Sequence, residues 1–178
     1  MVIRLLRLPA LVALLSIALA TAAAAATAAT SPPAPTPRQV QAAVRKAKRS
    51  TDLWSTVNIC NTKSHPNTIG IRGQMPSLGF AAKLAMRFRV QYWNGTAFTT
   101  VRGLSKTIAL GPVTRGVYQA GVGFPFAPHA GLLRGSVTFE WRLGNRRVGQ
   151  DTRATRKGHP RADFGDPKGF SSGSCTIA

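Results

Sequence analysis

Acids, histidines and thiols are the side chains able to move protons, attack a substrate or hold a metal, and this chain has few of each. Its carboxylates are Asp52, Glu140, Asp151, Asp163 and Asp166. Glu140 stands among Arg and Thr in SVTFEWRL, where ion pairing is the natural reading rather than general acid work. Asp163 and Asp166 fall in RADFGDPKG, a turn-rich stretch of the kind in which Asp stabilises loops. His65 and His159 each precede a proline and His129 follows Pro128, so all three read as loop residues. None stands two or four residues from another, the spacing that would favour a histidine metal site. A Ser–His–Asp triad can be composed from the many serines, but no nucleophile motif marks one. P-loop, dinucleotide and calcium-loop motifs are absent. No catalytic, cofactor-binding or metal-binding residue is assigned and no cofactor is expected. The chain is expected to be noncatalytic, with an unrecognised hydrolase as the weakest alternative.

Cys60 and Cys175 are the two cysteines. They are too far apart for a C-x-x-C redox motif and lack the paired spacing of a zinc site. They read either as two buried thiols or, in an oxidising compartment, as a disulfide. The disulfide is the favoured reading, and it would tie the first strand of the domain to the last.

Binding chemistry is better represented. Against five acids the chain sets 24 Lys and Arg, a net charge of +19. Such an excess attracts anionic partners and says nothing of fold. Candidate anion-binding residues are Arg38, Arg45, Lys46, Lys48 and Arg49 in RQVQAAVRKAKRS, and Arg142, Arg146 and Arg147 further on. The charge reads either as a solvated cationic surface without a partner or as a site for anionic envelope polymers, with a glycan or a protein as alternatives. Nucleic acid is not indicated, for no nucleic-acid-binding motif accompanies the charge. Trp93 and Phe98 are candidate aromatic contacts, able to stack on sugar rings or anchor a protein if they lie on an open sheet face. They read equally as residues covered by a loop or by the second sheet.

The elements that must position these residues begin with an export signal. Arg4 and Arg7 precede an apolar run over 8–20, and small residues with A-x-A patterns follow. Residues 1–29 thus read as a cleaved signal peptide, with a retained membrane anchor as the alternative. Residues 30–50 read as a linker, Pro-rich and then basic. Val40, Ala43, Val44 and Ala47 fall at helical spacing there, so the basic part is either a short helix or solvated chain. It is offered both as a plain linker and as a tether to an anionic surface.

From residue 51 to 178 the pattern is β. Ile69, Ile71 and Met75 alternate with polar or small residues, as do Leu84, Met86, Phe88, Val90 and Tyr92, and Leu133, Val137, Phe139, Trp141 and Leu143. Period-two alternation gives each strand one buried and one wet face. Shorter candidates lie at 53–60, 98–101, 106–110, 117–124, 148–155 and 173–177. Asn94-Gly95 predicts a two-residue type I′ turn, which would set Tyr92 opposite Ala97, Val90 opposite Thr99 and Phe88 opposite Val101. The same Asn-Gly-Thr matches a glycosylation sequon, but the turn is its main meaning. Gly144-Asn145 predicts a type II′ turn, with Trp141 facing Val148, Arg142 facing Arg147 and Glu140 diagonal to Arg147. About 8–9 short strands of this kind make an all-β, antiparallel β-sandwich the expected fold, with a barrel as the alternative.

LRGSVTFEWRLGNRRVGQDTRAT, with MRFRVQYWNGTAFTTV before it, resembles strand pairs of immunoglobulin-like or fibronectin type III-like sandwiches. The β region as a whole resembles uncharacterised secreted proteins of high-GC Gram-positive bacteria. The placing of Cys60, Trp141 and Cys175 departs from the Cys–Trp–Cys arrangement of immunoglobulin domains. The resemblance implies a secreted protein with an immunoglobulin-like or fibronectin type III-like architecture, while the residues themselves lead to the expectation of a basic secreted or cell-envelope protein, structural or adhesive in role. It implies no particular activity, since such folds host many.

Overall fold

The computed structural model describes residues 33–178, so the signal-peptide reading lies outside the described residues. Residues Ala34–Ala178 form one compact unit. Alternating sequences become strands here because one face can be buried against a second sheet. Strands β1 (Trp54–Cys60), β2 (Thr68–Pro76) and β5 (Val117–Pro125) form a three-stranded antiparallel sheet in the order β1-β2-β5. Strands β3 (Ala82–Trp93), β4 (Phe98–Val113), β6 (Gly131–Leu143) and β7 (Arg146–Ala154) form a second in the order β4-β3-β6-β7. The short β8 (Cys175–Ile177) pairs with the start of β6 and makes this sheet five-stranded. The expected antiparallel all-β sandwich is therefore the fold.

Its core is the set of inward residues read from the alternation. Ile69, Ile71 and Met75 meet Leu84, Met86, Phe88, Val90, Leu133, Val137, Phe139 and Trp141, all buried. Trp141 satisfies its one donor inside the core, its Nε1 bonding to the Pro76 carbonyl at 2.9 Å. Cys60 and Cys175 are disulfide-bonded, their Cα atoms 5.4 Å apart, and the bond joins β1 of one sheet to β8 of the other.

Several local expectations are corrected. Asn94-Gly95 does not close a two-residue type I′ turn. Such a turn needs positive φ at both central residues, and only Gly95 has it, at +99°. Instead Asn94 Oδ1 accepts from the backbone N–H of Thr96 at 3.0 Å and of Ala97 at 2.9 Å, which holds open a four-residue loop, 94–97. Trp93 consequently pairs with Phe98, Tyr92 with Thr99 and Phe88 with Lys106. Val90 faces a wide bulge, because Arg89 pairs with Ser105 and Gln91 with Thr100. The candidates at 98–101 and 106–110 are thus one strand, β4. Tyr92 lies on the inward face but beyond the core, 40% exposed. At the other hairpin Gly144 takes φ +57° and Arg142 does face Arg147, but Trp141 faces Gly149, because a bulge takes up Val148.

Residues 37–49 are a helix packed on the sandwich. Helix α1 (Pro37–Arg49) starts in a capping box: Thr36 Oγ1 accepts from the Gln39 N–H at 3.3 Å, and Gln39 Oε1 accepts from the Thr36 N–H at 2.8 Å. Proline suits the first helical position, where no N–H is needed, and Lys46, Lys48 and Arg49 in the last turn face the negative end of the helix dipole. Val40, Val44 and Ala47 are buried, and the Val44 side chain lies over Gly149 of β7. Arg153 fastens the end of the helix: its guanidinium donates to the carbonyls of Lys48, at 2.6 Å, and Leu53, and its Nε pairs with Asp151 at 3.1 Å.

The segment between β7 and β8, residues 155–174, runs along β1. The Arg156 N–H bonds to the Ser55 carbonyl, Val57 and Ser172 exchange two backbone bonds, and the Asp166 N–H bonds to the Asn58 carbonyl, each at 2.9 Å. This strap occupies the open edge of β1, which would otherwise invite another strand. It also explains two polar residues buried mid-strand. Thr56 Oγ1 meets Ser171 Oγ at 2.7 Å, and Asn58 Nδ2 donates to the carbonyls of Asp163 and Phe164 at 2.9 and 3.0 Å.

Candidate functional site

The outward residues of the five-stranded sheet fall into rows fixed by the strand register. Lys83 lies opposite Arg142, and Arg142 opposite Arg147. In the next row Ala109, Ala85, Glu140 and Gln150 lie side by side, then Thr107, Arg87, Thr138 and Thr152, then Ser105, Arg89, Ser136 and Ala154. Thr100, Gln91 and Arg134 follow, and Trp93 with Phe98 closes the face. At about 3.3 Å per residue the β3 part of this surface is about 33 Å long. Lys83, Trp93, Thr107 and Arg147 are exposed, and Arg87, Arg89, Arg134 and Arg142 half-buried.

Charge on this face is one-sided. Glu140 is its one carboxylate, and it binds Arg142 Nε at 3.2 Å and Arg147 Nη1 at 3.7 Å. Lys83, Arg87, Arg89 and Arg134 have no carboxylate partner among the described residues. Like charges set directly opposite on neighbouring strands destabilise a sheet, and the row Lys83, Arg142, Arg147 places three together. Arg87 Nε is buried without a hydrogen-bond partner, a situation that costs about 1–3 kcal/mol when a donor is left unmade. At the aromatic end, Arg134 Nε donates to Gln91 Oε1 at 2.7 Å while its guanidinium lies 4.0 Å over the Phe98 ring. The Trp93 and Phe98 rings meet edge to face at 5.2 Å, and Trp93 is 43% exposed.

The candidates read from sequence are thus divided. Arg142 and Arg147 share the outer face with Trp93 and Phe98, whereas Arg146 pairs with Leu143 and has the opposite facing. Arg38, Arg45, Lys46, Lys48 and Arg49 are exposed on α1. Arg45, Lys46 and Arg49 line a cleft of about 920 Å³ with Asp52 and with Arg115 from the β4–β5 turn. Lys83 and Arg87 are not among the candidates that the sequence marks. Their alternation with apolar residues marks a wet face, but only the β3–β6 pairing sets them beside Arg142.

The histidines go to three places. His159 stacks on Trp54, ring centroids 4.6 Å apart, and its burial lowers its pKa. His129 takes φ +64° in the β5–β6 loop. His65 Nδ1 lies 3.0 Å from Asp166 Oδ2, and the same oxygen accepts from Ser64 and Thr62. Serine, histidine and acid do converge here, but in the wrong order for a triad, in which the imidazole stands between hydroxyl and carboxylate. Here the carboxylate is the hub, and it ties the 62–65 loop to the strap. Among the described residues no group of His, Cys, Asp and Glu is placed to hold a metal, and no helix is long and apolar enough to cross a membrane.

No protein-family model matches the chain, and no curated protein matches it in sequence.

Proposed function

We propose that this is a noncatalytic, extracytoplasmic β-sandwich protein, structural or adhesive in role, that binds anionic envelope polymers on the outer face of its five-stranded sheet. The observation that carries the reading is the placing of Lys83, Arg87, Arg89, Arg134, Arg142 and Arg147 on one sheet face that carries a single carboxylate, Glu140. A sheet gains no stability from such a set, and a chain of negative charges lying along it would relieve the repulsion. The disulfide supports a site of action outside the reducing cytosol. A three-stranded antiparallel sheet facing a five-stranded one, with chain crossings between them, is in keeping with the sandwich architecture of the fibronectin type III-like resemblance.

The test is a titration of the mature protein, residues 30–178, with poly(glycerol phosphate) at rising salt. Binding through phosphates falls linearly in log K against log salt. Replacing Arg89 and Arg147 together by Gln lowers the slope by about 1.4, at roughly 0.7 for each phosphate no longer neutralised. Replacing Arg45 and Lys48 leaves it unchanged. Absence of binding at low salt rules the reading out. The glycan- or protein-binding alternative rests on the exposure of Trp93, since Arg134 already occupies Phe98. Unchanged binding to cell-wall material by Trp93→Ala removes that alternative.

A further inference from the structure

Within the outer face one spot is shaped as well as charged. A depression of about 390 Å³ is lined by Lys83, Ala85, Arg87, Thr107, Glu140 and Arg142, with Ala109 beside them. Ala85 and Ala109 are directly paired, so the row between Lys83 and Arg87 has only methyl groups on β3 and β4. Long side chains from the rows on either side can lean over that floor. Glu140 does not close the site to anions, because Arg142 and Arg147 already hold it. Lys83 and Arg87 remain with no carboxylate, and Arg87 Nε is a buried donor with no partner. Thr107, opposite Arg87 in the register, adds an exposed hydroxyl.

We propose that this depression is a seat for a phosphoryl group, with Arg87 and Lys83 as its charged ligands and Thr107 as a further donor. The inference rests on the polymer-binding reading above and gives it a chemical preference. Lys83 and Arg87 stand on either side of Ala85 along β3 and Thr107 beside Arg87 on β4, a spacing that suits the oxygens of a tetrahedral phosphodiester. A carboxylate offers its two oxygens in one plane, a poorer match to donors spread over two rows and two strands. The outer face would then bind polyanions in general through its rows of charge, and phosphodiesters in particular through this seat.

The experiment compares poly(glycerol phosphate) with polyglutamate of equal charge at one ionic strength, and follows the Arg87 Nε–Hε NMR signal as inorganic phosphate is added. The wild-type protein should prefer the phosphodiester on the order of tenfold, the worth of one further charge-assisted contact beyond the Arg87 fork, and phosphate should shift the Arg87 signal saturably. Arg87→Lys keeps the charge but loses the fork, so it should bind both polymers equally and keep its salt dependence. Lys83→Gln, at an exposed position, should narrow the preference and serves if Arg87→Lys folds poorly. Equal binding of the two polymers by the wild-type protein overturns the seat and leaves the broader reading standing. Failure of both polymers to bind at low salt overturns the two together.

Discussion

Asp166 receives hydrogen bonds from Ser64, Thr62 and His65 on one carboxylate oxygen, and in that order they lower its pKa from 3.8 to about 2. All three donors favour the ionised form. Because the folded-state pKa is the lower one, the bonds stabilise the protein fully above the ordinary value near pH 4. That stabilisation is lost as pH falls through about 2. Asp166→Asn should therefore lower the urea midpoint at pH 7, and the gap to the wild-type protein should close by pH 2. A gap of equal size at both pH values would mean that the carboxylate's charge contributes nothing. The same group illustrates why chemistry is hard to read from a list of residues. Ser64, His65 and Asp166 have the types of a triad, yet a hydrogen bond from each of the first two to the third makes a loop anchor.

At the scale of elements, the docking of α1 turns on Gly149. A Cβ there would stand 2.6 Å from Val44 Cγ1 and 3.3 Å from Trp141 Cε3, and Val44 is a short, stiff side chain that cannot swing away. Gly149→Ala should therefore cost about 1–3 kcal/mol, the usual range for overpacking. Val44→Ala should recover part of it, and urea unfolding of the two single variants and the double variant measures the coupling. Additive losses would show that the helix does not press on β7. This packing shows where sequence reading stops. The helical stripe of Val40, Val44 and Ala47 is local, and so are the alternations of β2, β3 and β6. What receives the helix is a bulge at Val148 that brings Gly149 under it, and no local pattern announces that. The hairpin at Asn94 shows the same limit at shorter range. Asn-Gly favours a tight turn, but the Asn94 side chain took two backbone donors of its own and lengthened the loop. The outer face was half legible, since Arg87 and Arg89 read as wet. Their meeting with Lys83 and Arg142 depends on non-local pairing.

Taken whole, the molecule protects its weak seam with one covalent bond and one strap. The edge of β1 is covered by residues 155–174, and the disulfide between Cys60 and Cys175 fixes the beginning of that sheet to the end of the chain. The two cysteines are 115 residues apart, and closing so long a loop in the unfolded chain is worth about 5 kcal/mol on the chain-entropy model. Reduction, or the Cys60→Ser, Cys175→Ser double substitution, should lower unfolding free energy by up to that amount in urea titrations. The loss should be selective in its consequences. The cationic face is made by β3, β4, β6 and β7, which pair through two hairpins and the β3–β6 ladder, and neither cysteine belongs to those rows. Polyanion affinity at low urea should thus survive reduction while the urea midpoint falls. A reduced protein that keeps its midpoint would show that the strap holds the seam unaided. One that stays folded but loses affinity would show that the face depends on the junction between the sheets.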